Sequence, residues 1–128
     1  MNDKELFDAA KSVCKPLALS APEFSAGTVG AALLTAAGNV YTGICIDLAC
    51  GLGFCAEASA AAEMLKHGET HIVRIVAVFE NGESGTPCGR CREMLAQIDR
   101  RNLDCTVLLG NNKSTTLREL LPMHWLEE

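Results

Sequence analysis

Apolar residues recur along this chain with two periods, and the changes of period mark out its elements. Leu6, Ala10, Val13 and Leu17 fall three or four apart, which predicts an amphipathic helix that Pro16 ends or bends. Residues 20–27 read as a loop. Two β-prone runs follow, TVGAALLTA (28–36) and NVYTGICI (39–46), and Ala37-Gly38-Asn39 where they meet predicts a hairpin. ACGLG (49–53) is a glycine-rich turn feeding a helix from Cys55 to Lys66, which His67-Gly68 closes. HIVRIVAVF (71–79) is almost continuously apolar, as a strand covered on both faces tends to be. After the loop ENGESGTP (80–87), a helix is predicted from Cys88 to Arg100, with Met94, Leu95 and Ile98 on one face. A strand, DCTVLLG (104–110), and a short helix, TLRELLP (116–122), complete the pattern. The order α-β-β-α-β-α-β-α predicts one mixed sheet with helices on both sides, parallel where a helix joins two strands.

Composition narrows the class. With 48% hydrophobic and 21% charged positions, residues 1–128 are expected to form one soluble globular domain. A net charge of −5 argues against nucleic acid as a partner, because binding a polyanion needs a basic face. No apolar run reaches the length of a membrane span, and MNDKELFDAAKSV has neither an apolar core nor a cleavage site. A cytoplasmic protein with no membrane partner is therefore expected. Its seven cysteines cannot all pair internally, and cytosolic thiols stay reduced. Cys14, Cys45, Cys50 and Cys105 stand in apolar or strand-like settings and read as buried small hydrophobes. His67 and His71 read as a helix-end and a strand-start residue, and Arg92 and Glu93 as a solvated helix face.

Cys55, Cys88 and Cys91 read differently. Cys88 and Cys91 are three apart in the first turn of a helix, so both sulfurs can face one way, and Cys55 opens the other helix. Helix N-termini carry partial positive charge and free N–H groups, which favour the thiolate that a metal requires. Three thiolates select Zn²⁺ among common cytosolic metals, and three ligands with one open position is the catalytic arrangement. Glu57, two residues beyond Cys55, can take a proton from a water that zinc acidifies and deliver it to a ring nitrogen or a leaving amine. A CxxC pair with a stray cysteine would instead be a stability device. Cys-Ala-Glu at one helix start, with proline directly before the pair, favours catalysis.

The pattern C-A-E followed by P-C-x-x-C resembles the zinc-dependent cytidine deaminases, whose nucleic-acid-acting cousins share such a signature. The resemblance covers nearly the whole chain: TVGAALLTAAGNVYTG is similar to the family's first hairpin and LRELLP to its C-terminal helix. It implies a three-layer α-β-α fold with a mixed, mostly five-stranded sheet. It also implies one Zn²⁺ per chain on Cys55, Cys88 and Cys91, with Glu57 as the proton shuttle. The all-cysteine triad is that of the small branch, so a homotetramer is implied. The backbone of Ala56 would help hold the pyrimidine. Trp125, beyond the last helix, would close a pocket, its own or a neighbouring subunit's.

Three features depart from the family pattern. Where N-x-E usually reads the ribose hydroxyls, Cys45 and Asp47 stand. Asp47 can still accept from a hydroxyl, whereas a thiol is a poor substitute for an amide. Gly27 replaces an aromatic usually found three residues before Gly30, which predicts open space beside the base. The arginine that usually follows the glutamate is Ala58 here, and Arg90 between the later cysteines is the replacement donor to the thiolates. The expected activity is hydrolytic deamination of a cytosine nucleoside, cytidine or deoxycytidine, to the uracil nucleoside and ammonia. PCGRCRE with a non-arginine after C-A-E is also the pattern of blasticidin S deaminase, so a modified aminopyrimidine is the alternative substrate. A zinc-stabilised binding module without catalysis is the alternative of another class, and the retained Glu57 speaks against it.

Overall fold

The computed structural model describes residues 1–126. Helix α1 (Asp3–Val13) opens on a capping box, in which the Asn2 side chain accepts the Glu5 N–H at 2.8 Å and Glu5 accepts the Asn2 N–H at 3.1 Å. It stops at Val13, so Leu17 leaves the helical face predicted for it and opens a two-residue strand, β1 (Leu17–Ala18), where it is exposed. A hairpin of β2 (Ser25–Thr35) and β3 (Val40–Asp47) follows, then α2 (Ala56–Lys66) and β4 (Ile72–Phe79). Helix α3 (Gly89–Ile98) leads through a 3-10 turn (Arg100–Asp104) into β5 (Thr106–Gly110), β6 (Lys113–Thr116) and α4 (Leu117–Leu120).

The strands lie in the order β3-β2-β4-β5-β6, with β1 beside the start of β2. β4 and β5, joined through α3, are parallel as predicted. β3 and β4, joined through α2, also run the same way, one on each side of the antiparallel β2. Among the described residues the sheet has the five main strands the resemblance implies, with the two-residue β1 as a sixth. β6 was hidden because KSTT has no apolar alternation, as suits an exposed edge that needs no buried face. Its turn is made by Gly110, Asn111 and Asn112, all at positive φ.

Alternation along the central strands builds three layers. Ala31 and Leu33 of β2, Ile75 of β4 and Val107 of β5 pack with Ala56, Ala60, Met64 and Leu95 from α2 and α3. Their neighbours Ala32, Leu34, Val76, Val78 and Leu108 pack on the opposite face with Leu6 and Ala10 of α1. The fold is therefore the expected α-β-α sandwich. Helix α2 lies unusually close to the sheet. A side chain at Gly43 would overlap the backbone nitrogen of Ala60 and come within 2.7 Å of the Ala56 carbonyl oxygen. The alanine-rich sequence of α2 is what such an approach demands.

One buried polar residue ties the far side together. Asn102 is fully buried, accepts the Ile72 N–H at 2.7 Å and donates to the carbonyls of Thr70 and Leu95 at 3.1 and 3.0 Å. It thus joins the start of β4 to the body of α3. Asn102→Ala strips three partners at once and should cost about 3 kcal/mol of stability. Urea unfolding checks this: the midpoint should fall while the slope stays constant.

Candidate active site

The N-termini of α2 and α3 meet at one end of the sheet, and the three cysteines meet there with them. Cys55 and Cys88 are the N-caps of the two helices, and their sulfurs face each other across the gap between the helix starts. The backbone puts Cys55 where it is: Phe54 and Ile46 exchange two hydrogen bonds of 3.0 Å, fastening the preceding residue to the end of β3. Cys91, one turn into α3, is buried beneath. All three sulfurs lie within 4.8 Å of one another. Cys55 Sγ and Cys88 Sγ are 3.5 Å apart, well beyond a disulfide's bond length of about 2.05 Å, and every cysteine is free.

The electrostatics of this cluster fit a cation. Burial raises the Cys55 thiol, with the Cys88 thiol adding to the effect. Burial raises Cys91 far more, assisted by the charges of Glu57 and Cys55. Cys88 goes the other way: burial opposes it, but the N–H groups of Cys91 and Arg90 and the neighbouring thiols pull it down. Three thiols this close cannot all ionise unless a positive charge stands between them. The donor set is soft, convergent and of the right count for zinc with one position open.

Glu57 is one residue into α2 beyond Ala56 and is almost wholly buried. Burial raises its pKa, partly offset by its own backbone N–H. It lines a pocket of about 480 Å³, a volume suited to a small molecule, together with Cys55, Cys88 and Ala56. Ala56 N–H is a first-turn donor of the kind a helix cannot satisfy internally. Cys45, Asp47 and Arg90 line the same pocket, so eight of the nine expected site residues gather in one place once Cys91 is counted beneath it. Trp125 does not: it is exposed, outside this pocket, with its backbone N–H donating to the Glu93 carboxylate at 2.7 Å.

Several readings change. Cys50 is not buried but exposed, on a turn at φ 61°. Gly27 does not open space beside the pocket, which its missing side chain does not face. It has φ 78°, and a Cβ there would overlap the Lys15 carbonyl oxygen. Arg92 is not part of a solvated face, whereas the hydrogen bonds of Glu93 are at the surface. Arg92 Nε donates to the Pro87 carbonyl at 2.7 Å and Nη1 to that of Leu120 at 3.0 Å. His67 and His71 stand where expected, at the end of α2 and just before β4.

Thr28, Val29, Phe54, Ala77 and Phe79 line the pocket without having been singled out. Strand alternation carried part of that signal. Ala77 and Phe79 share a face two apart on β4, and Val29 pairs opposite Phe79. Together they give apolar surface to the pocket that Glu57 also lines.

A sequence model of the cytidine and deoxycytidylate deaminase zinc-binding region matches residues 2–106. A cytidine deaminase from Halalkalibacterium halodurans is 36% identical over 104 residues, spanning 77% of each chain. A blasticidin-S deaminase from Bacillus cereus is 31% identical over 109 residues, 76% of each chain. Among solved structures, the cytidine deaminase from Mycobacterium tuberculosis superposes with a TM-score of 0.83 at 25% identity, covering 99% of both chains. That from Burkholderia pseudomallei gives 0.79 at 29% identity, over 98% of this chain and 100% of the other.

Arg92 generates a test of how the cysteine loop is held. Arg92→Leu leaves the Pro87 carbonyl, next to Cys88, without its donor. It should cost about 2 kcal/mol and loosen metal retention. Thermal unfolding with and without a chelator checks both parts, and unchanged values in each would make the contact incidental.

Proposed function

Because the chain belongs to the cytidine and deoxycytidylate deaminase family, we propose that it is the enzyme that hydrolyses a cytosine nucleoside to the uracil nucleoside and ammonia. The observation that carries this reading is the convergence of three thiols with a buried carboxyl on one pocket. Cys55, Cys88 and Cys91 would hold one Zn²⁺ per chain, which supplies Lewis acidity toward a water in the pocket. Glu57 takes one proton from that water and delivers it to the pyrimidine N3; as the C–N bond breaks it takes the second proton, from the hydroxyl now on that carbon, and passes it to the departing amine. Its burial suits this role, since a carboxyl with a raised pKa holds a proton well enough to pass it on. Ala56 N–H donates to the base, and Asp47 accepts from a sugar hydroxyl. Arg90 supplies a cation beside the thiolates, which offsets the excess of negative charge they carry.

Trp125 stands outside its own pocket, which supports the reading that it closes a neighbour's in a homotetramer. Among the described residues no helix is long and apolar enough to cross a membrane, and we place the enzyme in the cytoplasm. The likeness to a blasticidin-S deaminase supports a second substrate reading, a modified aminopyrimidine with the same chemistry. A panel of cytidine, deoxycytidine, cytosine, blasticidin S and substituted cytosines, followed by loss of the amine's ultraviolet absorbance, separates the two. No turnover of any member would overturn both.

Elemental analysis of the native protein should find about one zinc per chain, because three thiolates and one open position make one site. Cys91→Ala should release it and lower stability, since the cation loses its buried ligand. Finding no zinc in freshly purified protein would refute the assignment. Glu57→Gln should keep zinc and fold while losing about 10²–10⁴-fold in kcat, the usual worth of a positioned proton carrier. Near-native turnover by that variant would show that another group moves the proton.

A further inference from the structure

A hydrogen-bond chain runs beside the proposed sugar site, and it begins in an irregularity of the sheet. β2 and β3 pair in register at Ala26↔Ile46 and again at Gly30↔Ile44. Residues 27–29 of β2 therefore oppose Cys45 alone, a bulge of two extra residues that Gly27 permits by its left-handed φ of 78°. The bulge turns two groups of β2 onto one sulfur. Val29 N–H donates to Cys45 Sγ at 3.3 Å, and Thr28 Oγ1 lies 3.2 Å from the same sulfur. Thr28 Oγ1 also donates to Asp47 Oδ2 at 3.3 Å.

The polarity of this chain follows from its ends. Val29 N–H can only donate and an ionised Asp47 can only accept, so the protons run one way. Val29 N–H donates to Cys45 Sγ, the thiol faces both Thr28 Oγ1 at 3.2 Å and Asp47 Oδ2 at 3.7 Å as acceptors, and the Thr28 hydroxyl donates to Asp47 Oδ2. Every donor in the middle is used. Asp47 Oδ1 has no hydrogen-bond partner among the described residues, and Asp47 lines the pocket. No cation pairs with this carboxylate among the described residues, so the chain is what orders it. Cys45 is itself almost wholly buried, its sulfur occupied on two sides.

We propose that Thr28, supported by Cys45, is a positioning residue that holds the Asp47 carboxylate by Oδ2 and leaves Oδ1 to accept a hydroxyl of the substrate's sugar. The inference rests on the nucleoside reading above and sharpens it. Cys45 is then not a substrate contact but a link in the chain. The sugar is read by one oxygen of a carboxylate held in advance. Such pre-ordering strengthens a contact by removing the rotamer freedom that binding would otherwise freeze.

The test compares kcat and KM on cytidine and on 2′,3′-dideoxycytidine, which lacks both hydroxyls. Thr28→Val keeps shape and removes the hydroxyl. It should raise KM for cytidine about tenfold, leave kcat within about twofold, and leave the dideoxy compound unaffected. Thr28→Ser, which restores the hydroxyl, should return the wild-type preference. In an Asp47→Ala background, Thr28→Val should change the preference no further, because the two side chains act as one unit. If the valine variant does not fold, Thr28→Ala carries the same comparison. A hydroxyl with a merely structural role would lower the melting temperature and leave the ratio between the two substrates intact, and that result overturns the proposal. Additive effects in the double variant overturn it as well. A wild-type enzyme that deaminates no cytosine nucleoside overturns the nucleoside reading together with this one. Normal turnover with unchanged hydroxyl preference in Thr28→Val removes Thr28 alone.

Discussion

Two helix N-termini have to end at the same point, and most of the structure can be understood as the means of bringing them there. The partial positive charge at a helix terminus favours a thiolate, and at Cys88 the N–H groups of the α3 terminus pull the thiol down against its burial. The Phe54–Ile46 bridge fastens one terminus to the end of β3, and Arg92 fastens the other through the Pro87 carbonyl. Parallel pairing of β4 and β5 sets the direction of α3 between them. Were either terminus to slip by one residue, Cys55 and Cys88 would no longer face each other and Glu57 would leave the pocket.

The centre was legible because its signals are local. Cys55 with Glu57, and Pro87 with Cys88 and Cys91, each sit within one helical turn, so spacing alone orients them. The longer elements were legible for the same reason, since Val76 and Val78 or Leu95 and Ile98 repeat with the period of their own strand or helix. What escaped was everything decided by pairing between distant segments. The bulge at residues 27–29 exists only against β3, so Gly27 looked like a lost side chain when it is a backbone requirement. Arg92 looked solvated because its acceptors, Pro87 and Leu120, are carbonyls that any residue could supply. The fully buried Asn102 gave no signal at all, because nothing in RRNLD shows that β4 begins beside it.

The departures from the family pattern are coupled to one another. The asparagine usual in the family at position 45 makes bonds that a thiol cannot copy one for one. Here the neighbouring strand has moved a hydroxyl and an N–H onto the replacement sulfur, so the buried thiol is satisfied where an unpaired one would be costly. The short reach of Asp47 is met from the same side. A substitution that looks like damage in a one-dimensional comparison is part of a rebuilt corner.

Gly43 carries a consequence for descent. Besides Ser59 Cβ, the atoms that bar a side chain there are backbone, the Ala60 nitrogen and the Ala56 carbonyl oxygen, so shrinking a neighbour's side chain cannot make room. Only a retreat of α2 would, and that would draw Cys55 and Glu57 away from the pocket they share. A lineage relieved of its chemistry could let the helix drift and the glycine mutate; one still under selection for turnover could not. The glycine lies outside the cysteine cluster and the pocket lining, yet its persistence in a distant homologue would record that the helix there still has to stay close to the sheet.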